Sequence, residues 1–94
     1  MRILLTRVFK ADLKRLHPNQ KASVDDAVRF IASNPKVGEA KVGDLAGVRV
    51  YKFRVVGQLT LLAYEWKETE DRLLLLTLGD HENFYRDLKR ERNA

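Results

Sequence analysis

The chain reads as an α+β protein with the element order β-α-α-β-β-β-α: a mainly antiparallel sheet, a helical hairpin on one face, and a C-terminal helix. Three observations predict this. Apolar residues in the first third recur at helical spacing and are interrupted at His17-Pro18. At Arg49 the period switches to two, and two further apolar runs follow, each set off by a polar or glycine-containing turn. Beyond Gly79 helical spacing returns, with Phe84 and Leu88 four apart.

Each element has a local reason. Ile3-Leu4-Leu5 is a short first strand. Over 7–16, Phe9, Leu13 and Leu16 fall on one apolar stripe of a helix. His17-Pro18 ends it, because the residue before proline avoids the helical region. His17 is read as structural. Asn19 is expected to cap a second helix over 19–33, with Val24, Ala27, Val28 and Ile31 as its buried face and Asn34-Pro35 as its stop. Residues 35–47 are expected to be loop, with Gly38, Gly43 and Gly47. Over 49–55, Tyr51, Phe53 and Val55 alternate with Lys52 and Arg54. Val56-Gly57 is a tight turn. Residues 58–66 are apolar on both faces, as a central strand is, and Trp66 at its end is expected to pack. After a polar turn over 67–71, residues 72–78 form a third, fully apolar strand. Gly79 breaks it, Asp80 is placed to cap, and a helix follows over 81–92.

With 94 residues the chain is expected to form one domain spanning 1–94. It has no cysteine, so thiolate chemistry is excluded and no oxidising compartment is needed. No apolar run approaches membrane-spanning length and the start has no long apolar stretch, so a cytoplasmic location is expected, without membrane contact. The two histidines are not at metal-ligand spacing, and Glu68-Glu70-Asp71 reads as a solvated turn, so neither metal nor cofactor is expected. No catalytic triad, phosphate-cradling glycine loop or nucleotide fingerprint is visible.

The net charge of +5 is unevenly spread. Residues 1–22 carry Arg2, Arg7, Lys10, Lys14, Arg15 and Lys21 against Asp12 alone, and residues 45–64 carry Arg49, Lys52 and Arg54 with no acid. Such asymmetry suits an anionic partner, nucleic acid or an acidic protein. A merely soluble basic surface is the plain alternative.

The residues that suit chemistry lie late in the chain. Internal RNA cleavage needs a base for the ribose 2′-hydroxyl, an acid for the departing 5′-oxygen, and cations for the charge gathering on phosphorus. His81 is the natural proton-transfer group. Its position in a first helical turn, near Lys52 and Arg54, favours the neutral ring that can act as base. Its structural alternative is bracing the helix. Tyr85, four residues on, shares that helix face and can stack on a base or bond the phosphate, or else pack at the core's edge. Lys52 and Arg54 share one strand face about 7 Å apart, a spacing that can clamp phosphates. Ordinary solvent-facing charges are the alternative, and the absence of acids over 45–64 favours the clamp. Arg49 can extend the track as an RNA-binding cation, although alternation turns it to the other face.

Taken together these segments resemble the RelE/ParE superfamily of bacterial toxins from type II toxin–antitoxin modules. The similarity spans nearly the whole chain. Arg7-Val8-Phe9-Lys10-Ala11-Asp12-Leu13-Lys14-Arg15-Leu16 is similar to the family's first helix. Leu45-Ala46-Gly47-Val48-Arg49-Val50-Tyr51-Lys52-Phe53-Arg54 resembles its leucine, glycine and tyrosine-lysine strand, and Gly57 with Leu62-Ala63-Tyr64 the strand after it. Gly79-Asp80-His81-Glu82-Asn83-Phe84-Tyr85 resembles the terminal motif of RelE-like and YafQ-like members.

The resemblance implies a RelE-like fold and a metal-independent mRNA interferase. Such a toxin cuts messenger RNA in the ribosomal A site and is silenced by a cognate antitoxin. It carries basic roles onto Lys52 and Arg54, the histidine of the YafQ-like branch onto His81, and the C-terminal aromatic onto Tyr85. It departs from the family at Gln58-Leu59-Thr60-Leu61, where RelE-like members have an arginine, and it lacks the further histidines of the YafQ-like branch. The second proton-transfer partner is thus open among Lys52, Glu82 and Tyr85. Within the family the alternatives are a gyrase inhibitor of the ParE kind and an inactive remnant that binds only antitoxin or RNA. The basic surface of Arg7, Lys10, Lys14 and Arg15 and the open sheet face are the expected docking areas for an acidic, partly helical antitoxin segment.

Overall fold

A computed structural model describes the backbone of residues 1–93 and the side chains of residues 1–80 and 84–90. The elements are β1 (Arg2–Leu5), α1 (Arg7–Lys14), α2 (Pro18–Ser33), β2 (Glu39–Ala40), β3 (Arg49–Val55), β4 (Gln58–Lys67), β5 (Arg72–Gly79) and α3 (His81–Asn93). One sheet runs in the order β1-β5-β4-β3-β2. Its pairs are antiparallel except β1 with β5, which is parallel. The α+β architecture and the antiparallel β3-β4-β5 meander agree with expectation. The sequence reading missed the two-residue β2, which lies inside the expected loop.

The sheet is covered on both faces. The hairpin of α1 and α2 lies on one, where Phe9, Val24 and Ile31 meet Leu62, Tyr64, Leu73 and Leu75. Helix α3 lies on the other and lays Phe84 and Leu88 against Leu61, Ala63 and Leu76, with Leu45, Val48 and Val50 alongside. Strand β4 is central and buried on both sides over 61–65, as its two-faced apolar sequence requires.

Helix α1 is tied to the sheet by two polar side chains. Strand β1 stops at Leu5, opposite Leu75, so β5 loses its outer partner there. The Thr6 hydroxyl caps α1 by accepting from Phe9 N–H at 3.0 Å and donates to the Leu76 carbonyl at 2.6 Å. Asp12 accepts from Leu78 N–H at 3.1 Å and from the Thr77 hydroxyl at 3.2 Å. The cap of α1 and one residue within it thus satisfy strand groups that β1 cannot reach.

Helix α2 is capped two residues earlier than expected. His17, not Asn19, is its N-cap, Pro18 fills the first helical position, and Gln20 Oε1 accepts from His17 N–H at 2.8 Å. The hairpin at Val56-Gly57 has positive φ at both positions, 48° and 81°, the pattern of a two-residue I′ turn.

Candidate functional site

The site is assembled around the strand that pairs with β2. Buried Tyr64 donates its hydroxyl proton to the Pro35 carbonyl at 2.7 Å and accepts from Gly38 N–H at 2.9 Å. Burial raises the Tyr64 phenol's pKa, and the Gly38 bond and the Arg49 charge oppose that rise. Gly38 has no room for a side chain, since a Cβ there would lie 2.8 Å from the Tyr64 hydroxyl and 3.1 Å from the Val50 carbonyl carbon. Arg49 Nη1 donates to the Lys36 and Gly38 carbonyls at 3.1 and 2.8 Å. Tyr64 and Arg49 thereby pin residues 35–38, and the chain leaving them pairs with β3 through Glu39 opposite Val50 and Ala40 opposite Arg49.

This register decides what each side chain faces. Glu39 lies on the same sheet face as Val50, and so on the same face as Lys52 and Arg54. Lys41, whose N–H bonds the Val48 carbonyl at 2.9 Å, follows Glu39 by two and joins it. Lys41 Nζ lies 2.8 Å from Glu39 Oε1 and 5.3 Å from the centre of the Tyr85 ring. The hydrogen bond from Lys41, with help from Lys52, holds the Glu39 carboxyl below its ordinary pKa. Glu39 in turn holds the Lys41 ammonium above its own, against the opposing effect of burial and with the help of Tyr85. Tyr85 is half-buried at the margin of the core, edge-on to Phe84 at 5.2 Å.

Lys52 and Arg54 are exposed on β3, and Arg54 Nη1 donates to the hairpin carbonyl of Gly57 at 3.0 Å. Helix α3 packs over β5 and β4 on this face and leaves the outer strip along β3 uncovered. The face is therefore open along that strip and roofed elsewhere. Tyr85 and the cationic strand lie on one face of the sheet. His81 is the first residue of α3, but its side chain lies outside the described residues, as does that of Glu82.

Arg49 is set apart from the other candidates. Its guanidinium holds two carbonyls of the 35–38 segment, beside Tyr64, on the face opposite Lys52 and Arg54. Glu39 and Lys41 were overlooked by the sequence reading. Their only local sign is the Glu-Ala-Lys alternation, too short to stand out between Gly38 and Gly43.

Chemically the face offers cations, an ionised carboxylate and a phenol around an exposed strand, the groups that bind a phosphodiester and move a proton beside it. Among the described residues no helix is long and apolar enough to cross a membrane.

No curated protein matches the chain. Solved structures do match. A doubly substituted E. coli toxin RelE in the free state superposes with a TM-score of 0.75 at 11% identity, covering 98% of this chain and 93% of that one. A chain of the RelBE2 toxin-antitoxin complex of Mycobacterium tuberculosis gives 0.73 at 21% identity, covering 85% and 96%. A chain of the intact E. coli RelBE toxin-antitoxin complex gives 0.70 at 12% identity, covering 86% and 96%. At these identities the likeness is one of fold. Residues 3–89 also match the family described as ParE-like toxin of type II bacterial toxin-antitoxin system. With the matching fold and the match across nearly the full length, the chain belongs to the ParE-like toxins, within the RelE/ParE superfamily of type II toxin–antitoxin systems.

Proposed function

We propose that this toxin is a metal-independent endoribonuclease that cuts messenger RNA held on the ribosome. The observation that carries the reading is the uncovered basic strip of β3, Lys52 and Arg54, flanked on the same face by Tyr85 and the ionised Glu39. The cations bind the scissile phosphate and its neighbour and stabilise charge on the phosphorane. His81, opening α3, is one group for proton transfer, and its partner is one of Lys52, Glu82 and Tyr85. One takes the 2′-hydroxyl proton, that oxygen attacks phosphorus, and the 5′-oxygen leaves with a proton. The products are a 2′,3′-cyclic phosphate and a 5′-hydroxyl end. Tyr85 stacks on or bonds the substrate at the site's margin.

The toxin acts opposite a cognate antitoxin. Two of its structural neighbours are chains of toxin-antitoxin complexes, which supports such a partner. The helical side offers it a groove of about 780 Å³ floored by Leu5, Phe9 and Leu13 and edged by Lys10, Lys14 and Lys21. Apolar floor and basic rim suit an acidic amphipathic segment.

Purified toxin, wild type and His81→Gln, tested on messages bound to ribosomes examines the reading. Loss of the proton-transfer group is expected to slow cleavage about 10²–10⁴-fold while antitoxin binding persists. An intact message with wild-type toxin, together with inhibited DNA supercoiling, would replace the nuclease with the gyrase-inhibitor reading.

A further inference from the structure

We infer that Lys41 is a positioning residue of this site, clamped by Glu39 so that its ammonium fixes the Tyr85 ring beside the basic strip of β3. The inference rests on the nuclease reading for its functional consequence and on the geometry alone for the clamp.

Three features set this contact apart from an ordinary surface ion pair, which solvent screening leaves with little net effect. First, the Lys41 side chain is 19% exposed whereas Glu39 is 67% exposed, so the ammonium is turned inward toward the ring and the carboxylate closes over it from the solvent side. Second, the backbone of Lys41 is anchored, its N–H bonding Val48 O at 2.9 Å just beyond the β2–β3 pairs. Third, the ring it faces belongs to another element: Tyr85 is on α3, and the ammonium at 5.3 Å from its centre is within cation–π range. Carboxylate, ammonium and ring thus form a chain from the pinned β2 edge to the helix that carries the catalytic candidates.

The charge of Lys41 is matched by Glu39, which separates its role from that of Lys52. Lys52 is expected to contribute to phosphate binding and hence to its salt dependence, which for single strands changes by a log–log slope of about 0.7 per neutralised phosphate. Lys41 is expected to leave that slope unchanged and to act on turnover, because misplacing a group near reacting atoms by about 1 Å can cost on the order of 10²-fold.

The test uses the full-length toxin as wild type, Lys41→Met and Lys41→Arg, with two readouts. In ribosome-bound message cleavage, Lys41→Met is expected to lower kcat by about 10- to 100-fold with KM and the salt slope little changed, and Lys41→Arg to recover most of the loss. In NMR spectra, the Tyr85 ring resonances are expected to move in Lys41→Met and to return toward wild type in Lys41→Arg, with the remaining core signals in place. Wild-type turnover in Lys41→Met, or equal impairment in both variants with unmoved ring signals, overturns the inference. If even wild-type toxin leaves RNA intact, the ring signals still decide the clamp: moved signals uphold it while the nuclease reading falls, and unmoved signals overturn it.

Discussion

Glu39 shows how much a single side chain here depends on its neighbours. Its carboxyl faces Lys41 on its own strand segment, Lys52 on β3 and, beyond the ammonium, Tyr85 on α3. Its pKa is depressed, so its pairing with Lys41 is fully present above the ordinary carboxylate value of 4.5 and is lost as pH falls through the depressed one. The Lys41 pKa is raised, so its side of the pair is present below 10.5 and lost as pH climbs through the raised value. The pair therefore stands across the neutral range. An NMR titration that follows the Glu39 carboxyl carbon is expected to place its midpoint below the ordinary value in wild type and to bring it back up in Lys41→Met. An unshifted midpoint in wild type would show that the carboxylate and ammonium do not meet in solution. Tyr64 makes the same point from the buried side. Its position in a central strand was legible from the apolar run, but the hydroxyl's two bonds to residues 35 and 38 were not, because they join chain segments far apart.

Among the elements, the β3–β4 hairpin carries a visible cost. Its I′ turn needs left-handed backbone at both positions, and glycine supplies it at the second while Val56 supplies it at the first with φ 48°. A β-branched residue is strained there by about 1–2 kcal/mol. Val56 is 65% exposed, so its side chain gives little in return. Val56→Asn is expected to stabilise the toxin by about 1 kcal/mol, and to raise Tm by roughly 4–8 °C in a thermal melt. A lowered Tm would mean that the turn is not left-handed at that position. The turn itself was legible from Val56-Gly57 between two alternating runs, and so were the helices and the long strands, whose periods extend over many residues. Strand β2 was not. Two residues carry no period, and what places them is Arg49 and Tyr64 holding the loop from the far side. The cap of α2 was misplaced by two residues, since Asn19 is the stronger capping type while Pro18 decides the start through its fixed φ.

Across the whole molecule the sheet divides two tasks between its faces. The face under α1 and α2 is packed by Phe9, Ile31, Tyr64 and Leu75, and its outer groove carries the lysines of the first third of the chain. The face under α3 is only partly roofed and holds Lys52, Arg54, Glu39, Lys41 and Tyr85. The charge asymmetry of the sequence foreshadowed both basic regions. It also drew Arg49 into the RNA track, whereas the sheet's alternation turns that guanidinium to the opposite face, where it braces a loop. Composition counts charges without regard to face; alternation already set Arg49 apart, and its two carbonyl partners show what it holds there. Lys52 and Arg54 are thus the residues on which the molecule's proposed activity turns, because they are the exposed cations of the uncovered strip.

The most direct test is to map 5′-hydroxyl RNA ends on ribosome-bound messages after brief expression of the toxin and of the Lys52→Ala/Arg54→Ala double variant. Wild type is expected to produce such ends within coding regions, and the double variant to reduce them by at least about 10²-fold. Growth arrest by the wild-type toxin with messages whole and no such ends would contradict the account.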